Sequence, residues 1–525
     1  MKDKMDRVAA AARGMMAEAA TNTSLFVFAA FLISGVLEMS PLTWYKDTVT
    51  QFFRFILVPW GMTLTFAQLM RRRNAPMTMD ATVLFVLLVW ITVPFIYRFG
   101  LTFNNINAAC GYAMVFFGVY VSLRDESPAR REKMLDWICA VFGLFSLIFG
   151  GALLYCAATV QEFASDMGDF GFGIYQGMYL CGGLHYNNTG MTSVCCAMFC
   201  LCGAERARQL WQRLLYILGA AMMMIVIVLT QSRTARYVLL LAMAAGVFCR
   251  IYAAGSVRRR VLCLGVAVLT AGIVLVGGYF GAAALSDVAF GHYVRVGGQR
   301  AAQAAQEQEE SNLPAQGEMM PDESTPVEQN EPMAQGAGMT GAEQNEAGAQ
   351  GAAMTGAEQN EAAADAAALD ELHPKARPAA DATLSGRTEI WANIFRMWKE
   401  DPWYLLIGNG VGRTGSVVVQ GTSQESLGAI TLHNTYFQFI ADFGLIGFGL
   451  LLAFFLLIFC RCVRAFLRAG AEMSGILPMA MLVLAILATG LMESAPLGEM
   501  TPMNVVLFFA LGVLIPSGEQ QRHGL

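Results

Sequence analysis

Apolar runs of about 20 residues recur along most of this chain, and they limit the folds open to it. Of its 525 residues, 56% are hydrophobic and only 14% are charged, which is more apolar than an ordinary soluble domain. An apolar helix of about 20 residues is long enough to cross the hydrocarbon core of a bilayer. The sequence therefore predicts an all-α integral membrane protein with many spans.

Hydropathy predicts about twelve membrane spans, and an even number places both termini on one side. The spans are predicted near residues 22–39, 48–70, 79–97, 107–123, 135–160, 187–204, 210–229, 235–253, 261–281, 434–460, 475–492 and 502–516. We expect an N-terminal bundle of about nine spans at 1–281, a large loop at 282–432, and about three further spans at 433–525. No cleavable signal peptide is evident before the first span.

Lys and Arg are concentrated at the N-terminus and in every second short connection. Cytoplasmic loops retain these residues, whereas translocated loops lose them. The basic positions are Lys2, Lys4, Arg7, Arg13, Arg71, Arg72, Arg73, Arg124, Arg130, Arg131, Lys133, Arg206, Arg208, Arg213, Arg258, Arg259, Arg260, Arg461, Arg464 and Arg468. The pattern predicts cytoplasmic termini and an extracytoplasmic large loop.

The large loop contains an acidic, repetitive insert at about residues 301–380. Residues 301–372 include no Lys, Arg, Phe, Trp or Tyr, and MTGAEQNEA occurs at 339–347 and again at 354–362. Such a segment cannot bury a core, so we predict disorder. It holds fifteen of the forty acidic residues, so the remainder has ten more basic than acidic residues despite a formal net charge of -5.

Cysteine and histidine spacing indicates neither a disulfide framework nor a metal site. Most of the twelve cysteines lie inside predicted spans, where Cys packs as a small apolar residue. The histidines are scattered, at His185, His292, His373, His433 and His523, and show no metal-ligand spacing. We therefore predict no metal, no cofactor and no nucleic-acid partner.

Three unusual motifs lie on the predicted outer side. They are TQSRTAR at 230–236, SGRTEIWANIFRMWKEDPWYLLIGNGVG at 385–412, and TLHNTYFQFIADFGLIGFG at 431–449. Together they resemble the signature of the O-antigen ligase and polymerase family, which are membrane enzymes that move glycans off a polyprenyl (undecaprenyl) diphosphate carrier. The resemblance is best from about residue 210 onward. It implies a lipid-linked glycan donor, and the acidic insert is not part of the family pattern.

Arg233 and Arg236 lie between two predicted spans on the outer side, against the usual placement of basic residues. Either side chain could snorkel to lipid headgroups, and this interpretation is favoured for Arg236. The resemblance places Arg233 at the Ser-Arg position that holds the carrier diphosphate. Arg54 and Arg98, at the outer ends of two earlier spans, are further candidates for phosphate contact or for simple ion pairing.

Arg387 precedes an amphipathic helix predicted at about residues 388–400. Its apolar positions recur at helical spacing, and Asp401-Pro402 should end it. A helix start with an adjacent Arg favours anion binding. Trp391 and Trp398 are expected to pack rather than to contact a substrate.

His433 is the predicted general base. By spacing alone a His at a helix start is more often a cap or packing residue. In the family that LHNTYFQ resembles, however, this His activates the acceptor hydroxyl, and a neutral imidazole can accept that proton without metal. Asn434 would orient His433 or the acceptor.

The resemblance implies a metal-independent glycosyltransferase in a bacterial cytoplasmic membrane. Direct displacement from the carrier bond, which is most often α, would invert the anomeric centre. The acceptor stays open: a lipid A core sugar for a ligase, a second carrier-linked glycan for a polymerase, or a protein Ser/Thr for an O-oligosaccharyltransferase. A non-enzymatic flippase or transporter is the alternative class. It would require intramembrane polar residues along a path and repeat symmetry, which the sequence lacks.

Overall fold

The computed structural model describes residues 56, 58–71, 77–94, 103–163, 172–175, 179–182, 186–254, 260–311, 387–411, 432–469, 477–493 and 502–515. The chain divides into two units, one formed by 1–300 with 386–525 and the other by 301–385. Of the second unit, only the helical residues up to Ser311 are described.

The described residues are mainly helical. The helices are α1 (Val58–Arg71), α2 (Met79–Pro94), α3 (Phe103–Ala113, continued by a π-helical stretch Met114–Val121 and a turn Ser122–Arg124), α4 (Pro128–Thr159), α5 (Tyr186–Arg206), α6 (Leu210–Leu229), α7 (Arg233–Ala254), α8 (Arg260–Ser311), α9 (Arg387–Glu400), α10 (Pro402–Ile407), α11 (Thr435–Ala469), α12 (Leu477–Thr489) and α13 (Pro502–Leu514).

Five of these helices are long and apolar enough to cross a membrane. They contain Pro128–Thr159, Leu210–Leu229, Arg233–Tyr252, Leu262–Val296 and Thr435–Arg464, and four shorter apolar helices accompany them. A helix lies at every predicted span from the second onward, whereas the first, 22–39, is outside the described residues. The protein is thus a helical membrane protein, and the total of twelve spans stays a prediction.

Helix α8 is longer than the sequence predicted. Its span was expected to end at 281, but the helix continues to Ser311 and has 52 residues. The added part is apolar up to Val296, where the candidate span ends, and beyond that it is rich in Ala, Gln and Glu, which are strong helix formers.

A three-stranded antiparallel sheet corrects the all-α expectation. Its strands are β1 (Glu162–Phe163), β2 (Phe172–Tyr175) and β3 (Tyr179–Gly182), in the order β1-β2-β3. Phe172 pairs with Gly182 and Tyr175 with Tyr179. Aromatic and β-branched residues favour strands, and Phe172 packs on Phe149 of α4 with ring centroids 5.8 Å apart. The sheet immediately precedes α5.

One end of α11 joins a buried ion cluster. Asp80 Oδ2 accepts hydrogen bonds from Arg124 Nη1 (2.5 Å) and Tyr120 Oη (2.6 Å), and its Oδ1 lies 3.0 Å from Arg461 Nη1. We call Asp80, Tyr120, Arg124 and Arg461 the Asp80 cluster. It ties α2, α3 and α11 together, because a charge buried this deeply is stable only with partners.

Helix α11 is broken at Gly444, whose backbone is non-helical (φ 70°, ψ 178°). A break leaves the preceding carbonyls without their usual helical donors. Here the N–H groups of Asn409 and Gly410 donate to the carbonyls of Ala441 and Asp442, each at 2.9 Å.

The indole of Trp90 completes this arrangement by donating to Phe443 O at 2.8 Å. The missing helical hydrogen bonds are thus replaced by bonds from the loop after α10 and from the Trp90 side chain of α2. This satisfies a requirement that every polar backbone group in a membrane must meet. The break separates a short first segment, 435–443, from the long remainder of α11.

Candidate functional site

Helix α9 packs on the first segment of α11. Ile390, Ile394 and Trp398 are buried on one face of α9, against Leu432 and Ile440. This is the apolar face that the sequence predicted. The helix starts at Arg387 and ends at Glu400. Asp401 then caps α10, because its Oδ1 accepts hydrogen bonds from the N–H groups of Trp403 and Tyr404.

The turn before α11 is fixed from both sides of His433. Trp391 Nε1 donates to Leu432 O at 2.9 Å, and Leu432 N donates to Gln438 Oε1 at 3.2 Å. On the other side, Asn434 Oδ1 accepts from the N–H groups of Tyr436 and Phe437, both at 3.0 Å. Asn434 is therefore the helix cap, which leaves the His433 side chain for another role.

His433 has a left-handed backbone, with φ of 49°. This conformation is uncommon for a residue with a Cβ and persists only where the surroundings impose it. The imidazole lies near Glu493, just beyond the end of α12, with Nδ1 3.8 Å from Glu493 Oε2. The His433 side chain is 29% exposed, so the imidazole is accessible to a substrate.

Glu493 brings the two main sequence-predicted residues together. Its Oε1 lies 3.3 Å from Arg387 Nη2, and its Oε2 lies 3.8 Å from His433 Nδ1. Asn187, at the start of α5, donates its Nδ2–H to Glu493 Oε1 at 3.0 Å. We call Arg387, His433, Glu493 and Asn187 the Glu493 site.

The backbone of Glu493 is fixed by the same turn that carries His433. Thr435 donates to the carbonyl of Glu493 through its N–H (3.0 Å) and through its Oγ1–H (2.7 Å). Asn434 Nδ2 also donates to Leu491 O at 3.0 Å. The end of α12 and the start of α11 therefore form one hydrogen-bonded unit.

Sequence reasoning missed both Glu493 and Asn187. Glu493 falls one residue beyond a predicted span, and Asn187 begins another, so both looked like boundary residues. An acidic residue at the outer end of a span was the available signal. Only the fold shows that this carboxylate lies beside two residues that are distant in sequence.

The turn between α6 and α7, at residues 230–233, adjoins the Glu493 site through α5, and we call it the Arg233 turn. Gln231 is left-handed (φ 54°), and Ser232 Oγ accepts from Ala235 N at 3.3 Å, so Ser232 caps α7. A Cβ at Gly190 would lie 2.8 Å from Ala235 Cβ, which shows how closely α5 and α7 approach. The first turns of α5 thus contact Glu493 through Asn187 and the Arg233 turn through Gly190.

The two arginines of that turn have different surroundings. Arg233 is the first residue of α7 and is exposed. Arg236 is half-buried and donates from Nη2 to Gln231 O at 3.1 Å, so it stabilises the turn itself. Arg54 and Arg98 lie outside the described residues.

Among the described residues, no group of three or more His, Cys, Asp or Glu side chains is arranged to hold a metal ion. The Glu493 site instead has one carboxylate, one guanidinium, one imidazole and one amide. These groups can bind an anion, accept a proton and orient a hydroxyl.

Comparison with known families agrees with the three motifs. Residues 218–452 match the model of a family described as O-antigen ligase. This match covers less than half of the chain, and it supports similarity to an O-antigen ligase-like family. The family description implies a glycan-processing ligase or transferase. No significant match was found among the curated proteins or the solved structures.

The matched region and the Glu493 site overlap only in part. Arg233, Arg236, Arg387, His433 and Asn434 lie within it. Glu493 and Asn187 lie outside it, so their contacts with the family region come from the fold alone.

Proposed function

We propose that this protein is a metal-independent glycosyltransferase. It moves a glycan from a polyprenyl (undecaprenyl) diphosphate carrier to an acceptor hydroxyl at the outer face of a bacterial cytoplasmic membrane. The observation that carries the proposal is the meeting of Arg387 and His433 at Glu493, because anion binding and proton acceptance are the two tasks that this reaction requires.

Four helix starts support binding of a diphosphate. Three of these helices, α5, α9 and α11, begin at residues that contact Glu493. The fourth, α7, begins beside the first turns of α5. Each helix start contributes the positive end of a helix dipole, which favours an anion. Arg233, at the start of α7, adds a permanent charge, and Arg387 keeps guanidinium N–H donors beyond the one directed at Glu493.

The length of α11 supports the assignment to one membrane face. The Glu493 site adjoins its first turn, whereas Arg461 of the Asp80 cluster lies near its other end. Residues Thr435–Arg464 are long and apolar enough to cross the hydrocarbon core, so the two clusters lie toward opposite ends of this span. With the basic loops inside, the Glu493 site would face outward, and both termini would be cytoplasmic in a twelve-span topology.

The reaction breaks the bond between the anomeric carbon and the carrier diphosphate and forms a bond to the acceptor oxygen. The diphosphate leaves with the bonding electron pair, held by Arg233 and Arg387. His433 takes the acceptor proton as the new bond forms. Direct displacement inverts the anomeric centre, giving a β product from an α-linked carrier. Asn434 acts by shaping the turn that holds His433, and Arg236 by stabilising the turn that holds Arg233.

The test is a transfer assay with purified protein and a defined lipid-linked glycan. Three acceptors are supplied in parallel: a lipid A core, a second lipid-linked glycan and a Ser/Thr peptide. We expect free polyprenyl diphosphate and one class of glycosylated product, which identifies a ligase, a polymerase or a protein transferase. Carrier binding without transfer to any of the three would contradict the proposal and favour a flippase.

A deletion strain gives the corresponding result in cells. Loss of a polymerase leaves single repeat units on the carrier, whereas loss of a ligase or a protein transferase leaves long chains on it. An unchanged pool of carrier-linked glycans would argue against any of these activities.

A further inference from the structure

We infer that Glu493 is the positioning residue of His433: it accepts the Nδ1–H of the imidazole and so leaves Nε2 as the proton acceptor. This inference rests on the proposed function and names the group that orients the base. It is independent of the family match, because Glu493 lies outside residues 218–452.

The geometry assigns different tasks to the two carboxylate oxygens. Oε1 is engaged by Arg387 Nη2 (3.3 Å) and Asn187 Nδ2 (3.0 Å), whereas Oε2 faces His433 Nδ1 (3.8 Å). A closer approach of about 1 Å would bring Nδ1 and Oε2 into hydrogen-bond range, and such contacts commonly tighten when substrate binds.

An imidazole with a proton on one nitrogen is a base at the other. If Oε2 accepts from Nδ1–H, the neutral ring has its lone pair on Nε2. The same carboxylate then stabilises the imidazolium that forms when Nε2 takes the acceptor proton. A carboxylate that orients a His in this manner is a recurring arrangement in nucleophilic enzymes.

The fold holds Glu493 in place for this task. Its side chain is only 11% exposed, and its carbonyl accepts both hydrogen bonds from Thr435, two residues after His433. His433 and Glu493 therefore belong to the same hydrogen-bonded unit, so their separation is set by local backbone contacts.

The decisive variant is Glu493→Gln, which keeps the shape and removes the charge. Glu126→Gln is the matched control, because Glu126 is 15% exposed and pairs with Arg130 away from this site. We expect Glu493→Gln to lower kcat by about 10²- to 10⁴-fold without raising KM for the lipid-linked donor. In this role the carboxylate orients His433 and pairs with Arg387, so its loss leaves Arg387 more available to the donor. Glu126→Gln should match the wild type in kcat and KM.

A purely structural role predicts a different result. Glu493→Gln would then reduce the melting temperature, and kcat and KM would change together. An unchanged kcat in a stable Glu493→Gln protein would overturn the inference. Glu493→Asp keeps the charge, so its kcat should be higher than that of Glu493→Gln. Equal kcat values in the Asp and Gln variants would also contradict the inference.

The tautomer of His433 provides a readout that needs no activity. Protein labelled with ¹⁵N-histidine in liposomes should give a His433 signal with a protonated Nδ1, assigned by its loss in His433→Asn. In Glu493→Gln, the Nε2–H form should gain intensity. A wild-type His433 in the Nε2–H form would refute the inference even if transfer occurs. A Glu493-dependent Nδ1–H form without transfer would instead refute the proposed function alone.

Discussion

At the scale of single residues, His433 is where a catalytic and a structural role can be separated most clearly. The capping bonds at the start of α11 come from Asn434, and the left-handed backbone of His433 is one that Asn adopts readily. His433→Asn should therefore preserve the fold. We predict that it lowers transfer by about 10²- to 10⁴-fold, as expected for loss of a general base.

The measurement compares His433→Asn and His433→Ala with the wild type, using purified protein and lipid-linked donor. Melting temperatures and carrier-lipid binding should be nearly unchanged in the Asn variant. Full activity in that variant would return His433 to a structural role. Wild-type activity should also survive a chelator, and its loss would argue against a metal-independent reaction.

The arginines differ in what their removal should change. Arg233 is exposed at the start of α7, so Arg233→Ala should mainly weaken donor binding and transfer. Arg387→Ala should also leave Glu493 without a charged partner at Oε1 and reduce transfer further. We expect Lys to restore only part of either loss, because an ammonium cannot bind phosphate with a planar fork.

Arg236→Ala is the comparison variant for these arginines. Its guanidinium bonds to Gln231 O, so its loss should lower stability more than donor affinity. Measured at matched membrane levels, near-normal turnover in both Arg233→Ala and Arg387→Ala would favour lipid-headgroup contacts for these residues.

Sequence reasoning identified the site residues that belong to recognisable motifs. His433 was recognisable because LHNTYFQ resembles a family motif, and Arg387 because it stands at the start of an amphipathic helix. Glu493 was not, because its role depends on three partners at sequence separations from 60 to 306 residues. Hydropathy and motif spacing contain no information on such pairings.

At the scale of elements, the break in α11 is the feature that most depends on one residue. Gly444 has φ of 70°, and a Cβ there would lie 2.1 Å from Leu406 O. We predict that Gly444→Ala destabilises the protein by more than about 1 kcal/mol, through left-handed backbone strain and this overlap. Thermal unfolding in detergent measures the effect.

Gly449→Ala is the matched control on the same helix. A Cβ at Gly449 meets nothing within 4 Å, and Ala favours helix over Gly. Its melting temperature should equal or exceed that of the wild type. Equal stability of both variants would mean that the break does not depend on Gly444.

The elements themselves were largely predictable, whereas their distortions were not. The amphipathic α9 was expected at 388–400 and is found at Arg387–Glu400, because its apolar period is visible in sequence. The break at Gly444 was not predicted. It is stabilised by Trp90 and by the loop after α10, and neither is a neighbour in sequence.

At the scale of the whole molecule, the basic loops predict which parts face the cytoplasm. Reporters fused after Arg73, Arg213, Arg260 and the C-terminus should give cytoplasmic signals. Reporters after Gln161 or within residues 341–356 should give extracytoplasmic ones, since translocated loops are poor in Lys and Arg. A cytoplasmic signal from residues 341–356 would contradict the placement of the site at the outer face.

The acidic insert provides a second test at this scale. Because α8 ends at Ser311, the deletion should remove residues 312–372 and spare that helix. An acidic segment without aromatic residues contributes little to a packed core, so we predict normal expression and transfer. The assay compares lipid-linked donor turnover by both proteins. A stable but inactive deletion would mean that the insert binds the acceptor or regulates transfer.

The pairing of Arg387 with Glu493 also bears on how the spent carrier leaves. An internal counter-ion competes with every external anion for the same guanidinium, and it does so at a high effective concentration. Small anions such as inorganic phosphate should be rejected by this competition, whereas a membrane-tethered diphosphate arrives at a comparably high local concentration. After each turnover, Glu493 would pair with Arg387 again and so displace the spent carrier diphosphate from the guanidinium.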